Sequence, residues 1–253
     1  MIRYLLLIVA LVACGAKRRP VEPQLLGGES PAAFQRSIGV TLLRTGEPRR
    51  ALPYLERYAR LEPRQAEPLG YLGRAYMDLE MWQQARTTLD RAINLEPKYA
   101  PAHDLLGVLL DIRGDHAHAL VAHRKAIALA PGDAGFRNNL GFSLYLARRY
   151  VDAVSAYRAS LRISSSAPRV HNNLGFALAK LGRLEEASEH FRLGGTAAEA
   201  ANNLGLAYED RGDLDQAYEA YVSAVQVDPE LAVAQGNLER LATKLGKPLP
   251  RRN

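Results

Sequence analysis

The chain has 253 residues, a formal net charge of +6, 47% hydrophobic and 24% charged residues, and one cysteine. That composition excludes wholesale disorder, and a lone cysteine excludes both a disulfide framework and a zinc or iron–sulfur site built from thiolates. The length allows one large domain or two small ones, and the 33 Lys and Arg interleave with 27 acids rather than forming the concentrated basic stripe of a nucleic-acid footprint.

Residues 1–13 place Arg3 ahead of an apolar run from Leu5 to Ala13, the layout of a secretory signal peptide. The apolar stretch is well short of the roughly 20 residues that span a bilayer. Cys14 falls directly after Leu11-Val12-Ala13. This stretch resembles a bacterial lipobox, which implies that the Cys14 thiol is acylated and that Cys14 becomes the new N-terminus. The alternative is a plain signal peptide with a cysteine near its cut. The resemblance implies three acyl chains, and more than one is needed for firm anchoring. Gly15, rather than Asp, then implies export to the outer membrane. Residues 14–31 carry Lys17-Arg18-Arg19, Pro20, Pro23, Gly27-Gly28 and Pro31, and read as a flexible tether. Its three cations either rest on anionic headgroups or are solvated.

The body is periodic. Gly39, Gly73, Gly107, Gly141, Gly175 and Gly205 are separated by 34, 34, 34, 34 and 30 residues, and an alanine follows each by 12: Ala51, Ala85, Ala119, Ala153, Ala187 and Ala217. Pro63, Pro97, Pro131 and Pro229 lie a further 12 on, with Ser165 in that slot in the fourth unit. A glycine inside a helix costs about 1 kcal/mol relative to alanine. Six at one phase therefore mark a steric demand from a neighbouring helix. Tyr157, Phe191 and Tyr221 fill a large-knob slot four residues after the alanine, and each proline stops the second helix of its unit.

With these residues the chain resembles the tetratricopeptide repeat (TPR), which implies an all-α fold: a right-handed solenoid of helix–turn–helix units. The units are 32–65, 66–99, 100–133, 134–167, 168–197 and 198–231. The first departs by placing Tyr58 where a small residue is usual, and the fourth has Ser160 there. The fifth lacks four residues and ends Leu193-Gly194-Gly195, so it is expected to be a loose joint. Leu238, Leu241 and Leu245 continue the helical phase as a capping helix over 232–246. Lys247, Arg251 and Arg252 form a basic tail, 247–253, expected to fray.

No motif carries chemistry. His116 and His118, two residues apart, point to different helix faces, so shared metal ligation by the His116, His118 and His123 cluster is not expected. His103 and His123 take packing slots, and no phosphate loop, nucleophile elbow or HExxH stretch is present. No enzyme activity, cofactor, metal or nucleic-acid partner is expected. Function then lies in a surface, and the resemblance implies a concave groove lined by the first helix of each unit. Asn-Asn-Leu-Gly recurs at 138–141, 172–175 and 202–205, and Gly236-Asn237-Leu238 continues it. An amide both donates and accepts. The pairs Asn138-Asn139, Asn172-Asn173 and Asn202-Asn203, with Asn237, thus form a ladder able to grip the backbone of an extended peptide. Phe142, Tyr145, Phe176 and Leu206 flank it, with Lys180 as a cation on the same face. The alternative is that the amides bridge adjacent repeats and hold no ligand. The whole layout resembles the pilus-assembly TPR lipoproteins of the TadD and PilF types. That implies a periplasmic scaffold anchored in the outer membrane that binds a protein partner of a pilus or secretin machine. An adaptor of cell-wall (peptidoglycan) enzymes and a chaperone-like holder stay open as alternatives.

Overall fold

The computed structural model describes residues 30–249. The expected signal peptide, Cys14, the tether up to residue 29 and the tail beyond Leu249 lie outside the described residues. Among the described residues there are thirteen α-helices and no strand. Twelve run as pairs: α1 (Pro31–Arg44) with α2 (Pro48–Leu61), α3 (Glu67–Asp78) with α4 (Trp82–Leu95), and α5 (Ala100–Ile112) with α6 (His116–Leu129). There follow α7 (Ala134–Leu146) with α8 (Tyr150–Leu161), α9 (Pro168–Lys180) with α10 (Leu184–Leu193), and α11 (Ala197–Arg211) with α12 (Leu214–Val227). The last helix, α13 (Ala232–Leu245), covers α12 with Leu238, Leu241 and Ala242.

Local chemistry sets the helix ends. Pro31, Pro48 and Pro168 open α1, α2 and α9, where the missing N–H is not needed. Asp133 caps α7 through the amides of Gly135 and Phe136, and Thr196 with Glu199 forms a capping box on α11. The residue that turns the chain into each second helix has positive φ in all six units. Gly46, Gly114, Gly182 and Gly212 adopt it freely, whereas Glu80 (58°) and Arg148 (57°) do so against a steric penalty.

The glycine phase has a specific steric cause. A Cβ on Gly73 would lie 2.5 Å from Leu89 Cδ2, one on Gly141 would lie 2.6 Å from the Tyr157 ring, and one on Gly175 would lie 2.5 Å from Phe191. The knob from the second helix of the same unit occupies the place of the missing side chain. All six phased alanines are fully buried. The result is a stack of local cores: one runs through the first three units, another from Leu120 to Ala207, and a third joins α12 to α13.

The two departures in small-residue slots are satisfied polar contacts. Tyr58, buried, donates its hydroxyl to Glu67 at 2.7 Å, and Ser160 donates to the Ala134 carbonyl at 2.7 Å. Two expectations meet specific contacts in the structure. The fifth unit has the shortest second helix, at 10 residues, yet the expected loose joint at Gly194-Gly195 is not free of them. Asn172 donates its amide to the Gly194 carbonyl at 2.8 Å and fills the space over Gly194, and the Thr196 box starts the next helix at once. Glycine is required there for closeness, not freedom. Lys247 does not fray either: it pairs with Asp215 at 2.7 Å and lies 4.5 Å from the Tyr218 ring centre.

Candidate partner-binding groove

Successive first helices touch one another along the whole stack, whereas successive second helices do not. The first helices therefore line the inner side of the curve, and the second helices splay across the outer side. Each asparagine pair sits mid-way along a first helix, one helical turn before an aromatic or leucine residue.

The amides follow one rule. Asn173 Nδ2 donates to Asn138 Oδ1 at 3.0 Å, Asn203 Nδ2 to Asn172 Oδ1 at 3.3 Å, and Asn237 Nδ2 to Asn202 Oδ1 at 2.9 Å. Asn139 Nδ2 likewise reaches Asp104 Oδ2 at 2.8 Å, Asp104 standing where the later units have asparagine. The second amide of each unit thus clips onto the unit before it. Asn138 and Asn202 are buried, and Asn139, Asn173, Asn203 and Asn237 are half-buried. One N–H of each donor amide bridges adjacent repeats, as the alternative reading of the motif has it, and a grip on a peptide backbone falls to the remaining N–H. Lys180 is committed too, pairing with Asp210 at 2.6 Å across units and lying 6.0 Å from the Tyr150 ring centre.

In units three and four, what the inner face leaves open is apolar. Phe142 is 46% exposed and Leu146, four residues on, is 37% exposed. The corresponding residues of the preceding unit are Val108, half-buried, and Ile112, 53% exposed. Phe176 continues the row, packed edge-on against Phe191 at 4.8 Å, and Leu206 follows half-buried. Tyr145 turns inward against Tyr150 at 5.4 Å, and burial raises its hydroxyl above the ordinary tyrosine pKa. Salt bridges close the stripe at both ends: Arg74 with Asp78 on one side, Lys180 with Asp210 and Arg240 with Glu209 on the other. The amides single out units four to six, whereas the open apolar pairs four apart lie in units three and four, Val108/Ile112 being absent from the sequence-predicted set.

Beneath this stripe lies a buried polar cluster. His123 takes the large-knob slot, with Nδ1 2.7 Å from Asp104 Oδ1 and Nε2 3.4 Å from Asp111 Oδ2. Burial would lower its pKa, but the two carboxylates outweigh it and hold His123 above its ordinary value. Ser143 donates to Asp111 at 2.9 Å, and His116 Nδ1 lies 2.8 Å from the same carboxylate. The cluster joins α5, α6 and α7, and every member has a partner. Among the described residues no group of three His, Cys, Asp or Glu is placed to hold a metal ion.

The stacked helix pairs and the open inner stripe define a helical-repeat protein-interaction scaffold. Tetratricopeptide repeat models match residues 42–109, 113–168, 143–194 and 198–231, and the chain belongs to that family, whose members are typically non-catalytic interaction modules. No curated protein sequence matches it. Among solved structures, MamA (41-end) from Desulfovibrio magneticus RS-1 is 29% identical at a TM-score of 0.52, over 65% of this chain and 93% of that one. PilW, a type IV pilus biogenesis factor, is 17% identical at a TM-score of 0.70, over 83% of this chain and 100% of that one. Pseudomonas aeruginosa PilF is 17% identical at 0.64, over 83% and 97%. At these identities the last two establish likeness of fold.

Proposed function

We propose that the chain is a lipid-anchored scaffold on the periplasmic side of the outer membrane, holding a protein component of a pilus or secretin machine in its inner groove. The observation that carries this reading is the extent of the match. The whole of PilW and nearly all of PilF superpose on one uninterrupted solenoid that here follows a lipobox-like segment ending at Cys14. Ile112, Phe142, Leu146 and Phe176 would receive apolar side chains of the partner, because charges nearby are already paired. The clipped amides would act as a rigid floor, each with one further N–H for a ligand. Fractionation and a deletion strain test the proposal. Cys14→Ser should move the protein from membranes to the soluble periplasm. Deletion should lower the yield of assembled secretin multimers or surface pili. Normal assembly with an altered muropeptide profile would instead place the chain with cell-wall enzymes.

A further inference from the structure

The outer face changes sign along the solenoid. Residues 30–167 hold 19 Lys and Arg against 13 Asp and Glu, a net of +6, whereas residues 168–249 hold 8 against 12, a net of −4. Of that +6, residues 30–133 contribute 14 against 12, a net of +2, and residues 134–167 contribute 5 against 1, a net of +4. Independently of these totals, one stripe of the second helices reverses its charge along the stack. Positions four and eight residues after the first of the stripe share one helix face. In α2 that stripe carries Arg49 and Arg57, in α4 Arg91, and in α6 Lys125, all exposed. In α8 the same positions are Val151, Ser155 and Ala159, which are uncharged. In α10 they include Glu185 and Glu189, and in α12 Asp215 and Glu219, again all exposed. Arg49, Arg91 and Lys125 have no ion-pair partner among the described residues. Of the acids near this row, Asp90 is paired with Arg86, and Glu56 stands beside Arg57. The linear sequence hides the stripe, because its members are 34 residues apart and acids intervene.

We infer that the basic outer stripe of the first three units lies on an anionic membrane surface, and that the acidic stripe of α10 and α12 points away from it. The orientation rests on the membrane location proposed above. Charge complementarity favours a lipid surface, and so does the end of the molecule at which the basic stripe lies. The end of the solenoid that carries the basic stripe is the one that follows Lys17-Arg18-Arg19 and the apolar run 5–13. Cys14 and Pro31 are separated by at most about 60 Å of extended chain, so a chain fixed at Cys14 can set units one to three on the same surface. Near such a surface each cation contributes roughly a fivefold gain in partition. The inner groove, on the opposite side from the splayed second helices, would stay accessible to a partner.

Vesicle flotation tests this with the full chain carrying Cys14→Ser, so that acylation plays no part. Residues 5–13 contribute equally to every variant. The parent should float with vesicles of phosphatidylglycerol and phosphatidylethanolamine at low salt, and less so with phosphatidylcholine vesicles. Arg49→Gln/Arg91→Gln/Lys125→Gln should weaken that partition by roughly 10- to 100-fold, and Glu185→Gln/Glu189→Gln/Glu219→Gln should not weaken it. Equal flotation of parent and triple-cation variant overturns the inference. So does salt-sensitive self-association, or binding to duplex DNA, that both appears without vesicle binding and disappears in the triple-cation variant. Failure of the anchoring proposal alone is seen separately: the unmodified chain would then leave membranes at high salt while the stripe variants still differ on vesicles.

Discussion

Asn173 reaches back 35 residues to donate its amide to Asn138 at 3.0 Å, and Asn237 does the same to Asn202 at 2.9 Å. The acceptors are buried, so removing a donor leaves a desolvated carbonyl oxygen without a partner, which costs about 1–3 kcal/mol. Asn173→Ala should lower unfolding stability by that amount. In a double-mutant cycle with Asn138→Ala, the two losses should fall short of additivity by about 1 kcal/mol. Urea unfolding measures both. Additive losses would mean that the amides contribute independently and do not clip the repeats.

The repeat and its two-helix unit were legible because steric demands recur at a fixed interval: Gly141 and Tyr157 must meet, and so must Gly175 and Phe191. The destination of the amides was not legible. Asn-Asn-Leu-Gly has the same donors and acceptors whether it faces a ligand or the next helix, and only the stacking geometry decides. Lys180 misled for the same reason, since its partner Asp210 lies 30 residues away. His123 was placed correctly in a packing slot, but its pairing with Asp104 and Asp111 depends on how α5 and α6 cross.

The inter-helix turns offer a gain in stability. Glu80 and Arg148 hold positive φ where four other units have glycine. A side chain in that region costs about 1–2 kcal/mol, part of which glycine gives back through its freer unfolded chain. Glu80→Gly and Arg148→Gly should each stabilise by about 1 kcal/mol. The sites lie in different units, so the double variant should show the sum. Thermal melts of the two single variants and the double variant decide the matter.

Gly194 should be intolerant of a side chain. The Asn172 amide occupies the space that a Cβ would need, and that amide also holds the Gly194 carbonyl and receives Asn203. Gly194→Ala should cost about 2–3 kcal/mol by displacing this contact. Gly132→Ala, where nothing lies within 4 Å, should change stability by less than about 0.5 kcal/mol. If hydrogen exchange shows residues 190–198 of the parent opening well before their neighbours, the joint is loose in spite of these contacts.

Two histidines should titrate in opposite directions from the ordinary value of 6.5. His123 is held above it by Asp104 and Asp111. Its stabilising contribution is therefore complete below pH 6.5 and is lost as pH rises through its folded-state value. His190 is held below 6.5 by burial, then by His171, whose Nδ1 lies 2.9 Å from its own, and by Arg158. Its neutral form contributes stability above pH 6.5, lost as pH falls through its depressed value. Proton NMR titration of the two rings, assigned with His123→Gln and His190→Gln, should place one on each side of 6.5. Two unshifted titrations would remove the electrostatic account of the cluster.

The inner stripe makes a prediction separable from folding. Ile112 and Phe142 are 53% and 46% exposed, so replacing them with serine removes little buried surface and should change stability by less than about 0.5 kcal/mol each. If a partner's apolar side chains are seated there, each replacement removes a central contact of the interface, and such contacts are worth about 1–3 kcal/mol, or roughly 5- to 150-fold in affinity. Val121, 64% exposed on the outer face, is the control: Val121→Ser loses a similar apolar group in the wrong place. The assay is affinity for the component cross-linked to the chain in membranes, measured with Ile112→Ser, Phe142→Ser and Val121→Ser after their melting temperatures are matched. Loss confined to the first two supports recognition by the inner stripe. Loss confined to Val121→Ser would move the binding surface to the outer helices.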